Sequence, residues 1–217
     1  MKIAAVLFDL DGTLLNTLDD LCDSVNAVLL AHSFSPITKE ATASYLGNGA
    51  GHLIHCALPS GISEEEEAGI LVEYKAYYAA HCRIKTAPFP GILEMLGHLQ
   101  KKGIRMAVVS NKPDGAVKEL SELFFGSLME AAVGEKPEIR RKPAPDTVFE
   151  VQRLMDISPE TCVYVGDSEV DLEMAKNCGL PCISVTWGFR SEAQLIDSGA
   201  TCLVHSADEL EKVLLSE

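Results

Sequence analysis

Short, uninterrupted apolar runs recur along the chain and are its clearest pattern. Runs in which apolar and polar residues do not alternate are typical of strands covered on both faces, as in a parallel sheet. We predict four such strands and the start of a fifth at Leu203 and Val204. The four strands are 3–8, 106–109, 162–165 and 182–185.

Helical patterns lie between most of these strands. The apolar residues of 92–99 lie on one helical face, and Gly103 ends that pattern after two lysines. Further helices are predicted at 147–155, 172–178 and 207–215. Strand and helix in alternation predict the α/β class, with a doubly wound parallel sheet and a Rossmann-like core.

One interval breaks this alternation. About seventy residues between the first strand and the helix near Ile92 contain no good strand. They carry helical patterns at 18–30, 38–45, 51–58 and 64–81. We therefore predict a small helical cap, residues 16–84, inserted into a discontinuous core made of 1–15 and 85–217. Pro88 and Pro90-Gly91 mark the return to the core.

The net charge of the chain limits the kinds of partner that we expect it to bind. Acidic residues outnumber basic ones, 32 against 18, which gives a net charge of −14. Nucleic acid is an unexpected partner, since its phosphate backbone is held by clusters of Lys and Arg. A small anionic substrate stays compatible, because a bound cation can reverse the sign of the charge inside one pocket.

The cysteines and the apolar runs indicate the compartment. Seven scattered cysteines without a C-x-x-C motif predict neither a disulfide framework nor a zinc site. The run at 3–8 is too short for a signal peptide and ends in charged residues. No stretch approaches the roughly 18 apolar residues that cross a bilayer. We expect a cytoplasmic protein with no membrane partner; its oligomeric state is left open.

Two aspartates directly follow the first predicted strand, in the segment 8–14 with the sequence FDLDGTL. In extended chain, residues i and i+2 point to the same side, so Asp9 and Asp11 are predicted to face one site at the strand's carboxyl end. One acid can stay ionised as nucleophile or metal ligand while the other donates and then accepts a proton. An ordinary Asp-x-Asp-Gly turn has the same pattern, and this segment alone leaves both interpretations open.

A second acidic cluster follows the strand at 162–165, in the sequence GDSEVD at 166–171. Asp167 lies at the strand's carboxyl end, and Asp171 lies one turn into the next helix. Carboxylates of this kind suit Mg²⁺, which takes one or two of them and fills its other positions with water and substrate oxygens. Asp167 or Ser168 would also serve as a helix cap, but capping does not require both aspartates.

Two more polar segments lie close to predicted strand ends. The strand at 106–109 leads into Ser110 and Asn111, whose hydroxyl and amide can hold phosphoryl oxygens by hydrogen bonds. The segment 140–146, RRKPAPD, is basic in an acidic protein, and Lys142 would balance clustered carboxylates and phosphate charge. Taken singly, the Ser110 segment is equally typical of a polar turn before a helix, and a basic run is usually a solvated surface.

The order and content of these four segments resemble the haloacid dehalogenase-like superfamily, which includes many phosphatases. Segment 8–14 resembles its first motif, Ser110-Asn111 the second, Lys142 the third and 166–171 the fourth. The resemblance covers essentially the whole chain, since a small helical cap of this superfamily belongs directly after the first motif.

The resemblance implies a role for each matched residue. Asp9 would attack phosphorus and become phosphorylated, and Asp11 would protonate the leaving oxygen and later activate water. Mg²⁺ would be held by the Asp9 side chain, the Asp11 backbone carbonyl and Asp167, with Asp171 as a supporting acid. Dehalogenation is disfavoured, because the dehalogenating members lack an acid two residues after the nucleophile.

Ser110, Asn111 and Lys142 would bind the phosphoryl group of a small phosphorylated metabolite. Within the superfamily the chain is most similar to the phosphoglycolate phosphatase type, on the segments SNKP at 110–113, KPAPD at 142–146 and YLGNG at 45–49. The glycines of the last segment would expose N–H groups to a substrate carboxylate or simply end a helix, and both interpretations stay open.

Our substrate hypothesis is 2-phosphoglycolate, although the shared motifs leave alternatives. A phosphomutase of the β-phosphoglucomutase type and an inorganic pyrophosphatase would use the same residues. A non-catalytic protein that binds a phosphorylated ligand is a third alternative, disfavoured because every matched catalytic position is filled. Asn16, where many relatives carry an acid, would affect cap closure. Four cap residues are further candidates for substrate contact, though surface or packing roles are expected: His52, His55, Lys75 and Arg83.

Overall fold

A computed structural model describes residues 3–216. Its strands are β1 Ala5–Phe8, β2 Leu15–Asn16, β3 Ala87–Pro88, β4 Arg105–Pro113, β5 Ala131–Glu135, β6 Cys162–Gly166, β7 Cys182–Val185 and β8 Leu203–Val204. Six of them form one parallel sheet in the order β5-β4-β1-β6-β7-β8, while β2 and β3 pair antiparallel with each other. All five predicted strand positions are confirmed, and the doubly wound α/β class with them.

Helices cover both faces of this sheet. They are α1 Leu18–Ala31, α2 Lys39–Tyr45, α3 Gly49–Ala57, α4 Glu64–His81, α5 Ile92–Lys101, α6 Asp114–Phe125, α7 Asp146–Met155, α8 Glu169–Cys178, α9 Glu192–Asp197 and α10 Ala207–Leu215. In β1, Val6 and Phe8 belong to one apolar cluster, and Ala5 and Leu7 to another. This double burial explains why the central strand has no polar position. No helix within 3–216 is long and apolar enough to span a membrane.

Three elements, β5, α6 and α9, were not predicted from the sequence. β5 has the sequence AAVGE and lies at an edge of the sheet, where a strand needs fewer large apolar side chains. β4 is also longer than the predicted 106–109, with an irregularity between Val109 and Pro113. Residues 110–112 therefore belong to β4 itself and lie at the carboxyl end of this strand.

Helices α1 to α4, the segment predicted to form a cap and called the cap here, follow one another between β2 and β3. α4 has the predicted limits, and α1, α2 and α3 differ from the predicted spans by one or two residues at an end. The two connections between core and cap run side by side as the β2–β3 pair. The buried Asp20 carboxylate also accepts the backbone N–H groups of Ile84, Lys85 and Thr86 at 2.9–3.0 Å, which ties α1 to the returning chain.

Candidate active site

Polar residues from three neighbouring strands meet at the carboxyl edge of the sheet. They line a cavity of about 420 Å³ that also contacts cap helices α3 and α4. The cavity contains six of the seven residues predicted for the site: Asp9, Asp11, Ser110, Asn111, Lys142 and Asp167. The seventh, Asp171, lies fully buried behind Lys142. Parallel strands explain this convergence, since all their carboxyl ends lie at one edge.

Asp9 is buried and faces a lysine. One of its carboxylate oxygens lies 2.9 Å from the Lys142 ammonium. Burial raises the pKa of Asp9 to about 7, against the lowering effect of Lys142. Burial alone would lower the pKa of Lys142, but the Asp171 and Asp9 carboxylates raise it well above its ordinary value, so its ammonium stays charged.

Asp171 holds Lys142 in place. Its carboxylate accepts hydrogen bonds from Lys142 at 2.7 Å, from the Tyr164 hydroxyl at 3.0 Å, and from the Ser168 hydroxyl at 2.6 Å and backbone N–H at 3.2 Å. Both Asp171 oxygens therefore already accept hydrogen bonds from protein groups. This arrangement fits a residue that orients Lys142 and the start of α8.

Asp167 is the carboxylate best suited to a cation. It is buried, and it accepts hydrogen bonds from the Thr13 hydroxyl at 3.3 Å and the Phe189 N–H at 2.7 Å. Burial, and then the charges of Asp171 and Asp9, raise its pKa well above the ordinary range. Within residues 3–216 no Lys or Arg forms a salt bridge with it.

The acidic cluster fits a hard divalent cation. Carboxylate oxygens of Asp9, Asp167 and Asp171 lie within 4.8 Å of one another. Lys142 is the cation that contacts two of the three, so negative charge remains at Asp167. Buried like charges at this separation are unfavourable unless a cation or protons balance them. Oxygen donors of this type are those that Mg²⁺ prefers.

Two glycines let the backbone close around Asp167. A Cβ atom at Gly12 or at Gly188 would collide with the Asp167 carboxylate. Gly12 also has a φ of 85°, which disfavours other residues, whereas Gly188 has no such restriction. Gly188 lies beyond β7, outside the four motifs, and sequence reasoning missed it. A glycine shortly after a predicted strand was the available signal.

We expect Gly188→Ala to weaken cation binding, because the new methyl group must displace the Asp167 carboxylate. The Mg²⁺ concentration for half-maximal activity should rise at least about tenfold, as expected when the orientation of a ligand is disturbed. Gly97→Ala in α5 is the matched control, since a Cβ there meets nothing within 4 Å. An unchanged Mg²⁺ requirement in Gly188→Ala would count against Asp167 as a ligand.

The second motif supplies one group with a donor to spare and one fully engaged group, since the Ser110 hydroxyl accepts the Lys112 backbone N–H at 3.3 Å and keeps its own proton to donate. Ser110 is buried and lines the cavity. The Asn111 side chain donates to the backbone carbonyls of Gly47 at 2.8 Å and Lys142 at 2.9 Å, and accepts the Lys142 N–H at 2.7 Å. Both of its amide donors are thus engaged, and the contacts join the second motif, the third motif and the cap.

Asp11 is paired with a lysine that sequence reasoning did not select. The Lys112 ammonium lies 2.8 and 2.9 Å from the two Asp11 oxygens and 4.5 Å from the centre of the Tyr78 ring in α4. Lys112 follows Ser110 by two residues, so their side chains share one side of the extended chain. The two-residue spacing indicated that Lys112 lies on the same side as Ser110, but it could not show that Asp11 is the partner of Lys112.

Arg190 makes a further connection between core and cap, also missed from the sequence. Its guanidinium contacts both carboxylate oxygens of Glu169 at 2.8 and 3.0 Å and donates to the carbonyls of Ala43 at 2.9 Å and Leu46 at 2.8 Å. Its position after β7 was the only available hint. These contacts hold the end of α2 against the sheet edge.

The cap residues selected from the sequence divide into two groups. Lys75 lines the cavity. The other three contact neighbouring side chains: His55 contacts Glu67, His52 contacts Cys56, and Arg83 pairs with Glu119. Gly47 and Gly49 line the cavity, at the turn between α2 and α3. Carboxylate binding by that turn stays a prediction.

Comparison with known proteins agrees with this geometry. Residues 6–185 match the family model described as haloacid dehalogenase-like hydrolase. The chain is 32% identical to phosphoglycolate phosphatase 1 of Pseudomonas aeruginosa over 94% of this chain and 77% of the relative. It is 32% identical to the phosphoglycolate phosphatase of Pseudomonas putida over 96% and 78%.

Solved structures lead to the same family. A candidate phosphoglycolate phosphatase from Lactobacillus delbrueckii subsp. bulgaricus superposes with a TM-score of 0.94 at 38% identity, over 100% of both chains. CbbY of Rhodobacter sphaeroides, solved in complex with xylulose-(1,5)bisphosphate, gives 0.79 at 25% identity over 96% of both chains. The chain therefore belongs to the haloacid dehalogenase-like hydrolases, as a phosphatase of the phosphoglycolate phosphatase type.

Proposed function

We propose that this protein is a Mg²⁺-dependent phosphatase that hydrolyses a small phosphomonoester through an aspartyl-phosphate on Asp9. One observation carries the proposal. The buried Asp9 carboxylate lies 2.9 Å from Lys142 and beside the Asp167 carboxylate, which forms no salt bridge with any residue from 3 to 216. A nucleophile, a fixed positive charge and a cation site thus lie together at the carboxyl edge of the sheet.

In the first step an Asp9 oxygen attacks phosphorus, and the bond from phosphorus to the leaving oxygen breaks. The leaving oxygen takes a proton from Asp11. Lys142 and the Ser110 hydroxyl hold the phosphoryl oxygens in line with Asp9, which lowers the entropy lost in reaching the transition state. Asp171 keeps Lys142 charged and in place, through the 2.7 Å contact.

In the second step Asp11, now a carboxylate, takes a proton from water. The water oxygen attacks phosphorus, the bond to Asp9 breaks, and inorganic phosphate leaves. Asp11 therefore acts as acid and then as base, so a single residue returns to its starting state after each turnover.

The Asp9 and Asp167 side chains, with the Asp11 backbone carbonyl, would hold the Mg²⁺ ion. A bound Mg²⁺ neutralises charge on the phosphoryl oxygens and on the carboxylates around them. Asp171 would stay behind this set, since its oxygens are engaged by Lys142, Tyr164 and Ser168.

The substrate we propose is 2-phosphoglycolate. The Pseudomonas relatives named above support it, as does the Gly47–Gly49 turn that lines the cavity. We further propose a cytoplasmic location, because all seven cysteines are free thiols, the state that a reducing compartment maintains.

A substrate panel tests this proposal. With Mg²⁺ present, kcat/KM should be at least about tenfold higher for 2-phosphoglycolate than for pyrophosphate, sugar phosphates or nucleoside monophosphates, as a site built for one substrate's polar groups discriminates. Phosphate release is the measurement. Release that is fastest from another member of the panel would move the assignment to that substrate. No release from any member would favour a protein that only binds phosphorylated ligands.

A further inference from the structure

Arg190 lies between the core and the cap and is bonded to both. Its side chain is 8% exposed and lines the cavity. On the core side it contacts both Glu169 oxygens, at 2.8 and 3.0 Å. On the cap side it donates to the carbonyls of Ala43 at 2.9 Å and Leu46 at 2.8 Å, where α2 ends. Carbonyl groups in the last turn of a helix lack their regular partner four residues on, so a guanidinium stabilises them there.

The loop that carries Arg190 is fixed to the core by its own contacts. The indole N–H of Trp187 donates to the Thr13 carbonyl at 3.0 Å. The backbone N–H of Phe189 donates to the Asp167 carboxylate at 2.7 Å. Because neither contact involves the cap, loss of the Arg190 guanidinium would free the end of α2 rather than this loop.

Few core side chains hold this part of the cap. Within residues 3–216, those of Asn111 and Arg190 are the two in the core that donate hydrogen bonds to the segment 39–57. Asn111 contacts Gly47, but it also contacts both backbone groups of Lys142, which the proposed function places against the phosphoryl group. Arg190 has no contact with Lys142 or with the phosphoryl site, so its substitution isolates the effect of the cap.

The segment that Arg190 holds lies where the leaving group of the substrate would depart. Asp9 attacks in line, so the leaving group departs on the far side of phosphorus, away from the sheet edge and toward the cap. Leu46, Gly47 and Gly49 line the cavity there, directly after the helix end that Arg190 contacts. A shift of this turn by about 1 Å would change the fit of the leaving group, and misplacement on that scale can cost about 10²-fold in rate.

We infer that Arg190 is a positioning residue that sets selectivity for the leaving group. It does so by holding the end of α2, and with it the Gly47–Gly49 turn, against the cavity. The inference rests on the proposed function, in which that turn is expected to bind the carboxylate of 2-phosphoglycolate. Arg190 should therefore matter more for an ester whose leaving group reaches the turn than for one whose leaving group is too short.

Two esters with different leaving groups test the inference. 2-Phosphoglycolate has a carboxylate that would reach the turn, whereas the leaving group of methyl phosphate has a single carbon atom. In Arg190→Met the ratio of kcat/KM for the first ester to kcat/KM for the second should fall at least about tenfold from its wild-type value. The ratio cancels a general loss of folded protein and any loss that acts through the cation site, since both esters depend on both.

Amide hydrogen exchange follows the same contact without turnover. In Arg190→Met the amides of residues 46–50 should exchange at least about tenfold faster, because a segment held by fewer contacts opens more often. Arg153→Met is the matched control, since Arg153 is exposed and pairs with Glu150 within α7. Both the ratio and the exchange rates of this control should match those of the wild type.

Three results would overturn the inference. They are an Arg190→Met ratio within about threefold of the wild type, less than misplacement of the turn should cause, unchanged exchange at residues 46–50, and an equal fall of the ratio in Arg153→Met. In each case phosphate release by the wild type leaves the proposed phosphatase in place and refutes only the role of Arg190. No release by the wild type from either ester, or from any other, refutes the proposed function itself.

Discussion

Asp9→Asn is expected to lower kcat by at least about 10⁴-fold, because an amide cannot replace the carboxylate that attacks phosphorus. The fold should persist. A neutral side chain of the same shape removes the burial cost that raises the pKa of Asp9, and Lys142 keeps Asp171 as its partner. Phosphate release at saturating substrate and Mg²⁺ is the measurement, with the thermal unfolding midpoint recorded for the same preparation.

Asp23→Asn provides the comparison for this variant. Asp23 is an exposed carboxylate paired with Lys85 on the surface, and its loss should change kcat by less than about threefold. Activity of Asp9→Asn within tenfold of the wild type would exclude Asp9 as the nucleophile. An Asp9→Asn protein that is inactive because it is unfolded would show the loss of its thermal transition.

Removal of Mg²⁺ is the second large effect that we expect. The Asp9, Asp167 and Asp171 oxygens lie within 4.8 Å of one another, and Lys142 alone cannot balance them and an incoming phosphate dianion. EDTA should therefore lower activity at least about 10³-fold, in line with the several kcal/mol of charge stabilisation that a metal ion supplies. Added Mg²⁺ should restore it.

Binding itself can be followed without turnover. Mg²⁺ should raise the thermal unfolding midpoint of the wild type, since a ligand that binds only the folded state stabilises it. In Asp167→Asn this rise should be largely lost, because the substitution removes a negatively charged oxygen that would bind the ion. Asp167 forms no salt bridge within residues 3–216, so its negative charge is not already balanced by a Lys or Arg. Full activity in excess EDTA would refute the metal assignment, as would an unchanged midpoint shift in Asp167→Asn.

Much of the fold was predictable because the central strands are buried on both faces. β1 is wholly apolar, in β6 only Tyr164 carries a hydroxyl, and each predicted strand position was confirmed. Because the strands were predicted to be parallel, we could place Asp9, Ser110 and Asp167 at the carboxyl edge of the sheet, although these residues are far apart in the chain. β5 could not be predicted in this way, since an edge strand with the sequence AAVGE has too weak an apolar run.

The pairing of side chains was much less predictable than their position. The sequence places Lys112 beside Ser110, but only the folded chain shows that its ammonium contacts Asp11 and the Tyr78 ring of the cap. Arg190 and Gly188 follow β7 in a loop without a recognisable motif, and their roles depend on how close Ala43 and Asp167 come to them. Such contacts join segments that are far apart in the chain, and no pattern in the sequence indicates that these segments meet.

The most direct test of the account is to identify the residue that carries phosphate during turnover. The enzyme, with Mg²⁺ and excess 2-phosphoglycolate, is quenched in acid within the first turnover, digested, and analysed by mass spectrometry. We predict one phosphoryl group on the peptide that contains Asp9, formed and lost at rates consistent with kcat, and absent in Asp9→Asn. A phosphoryl group on another residue, or steady phosphate release with no covalent species at any quench time, would contradict the account.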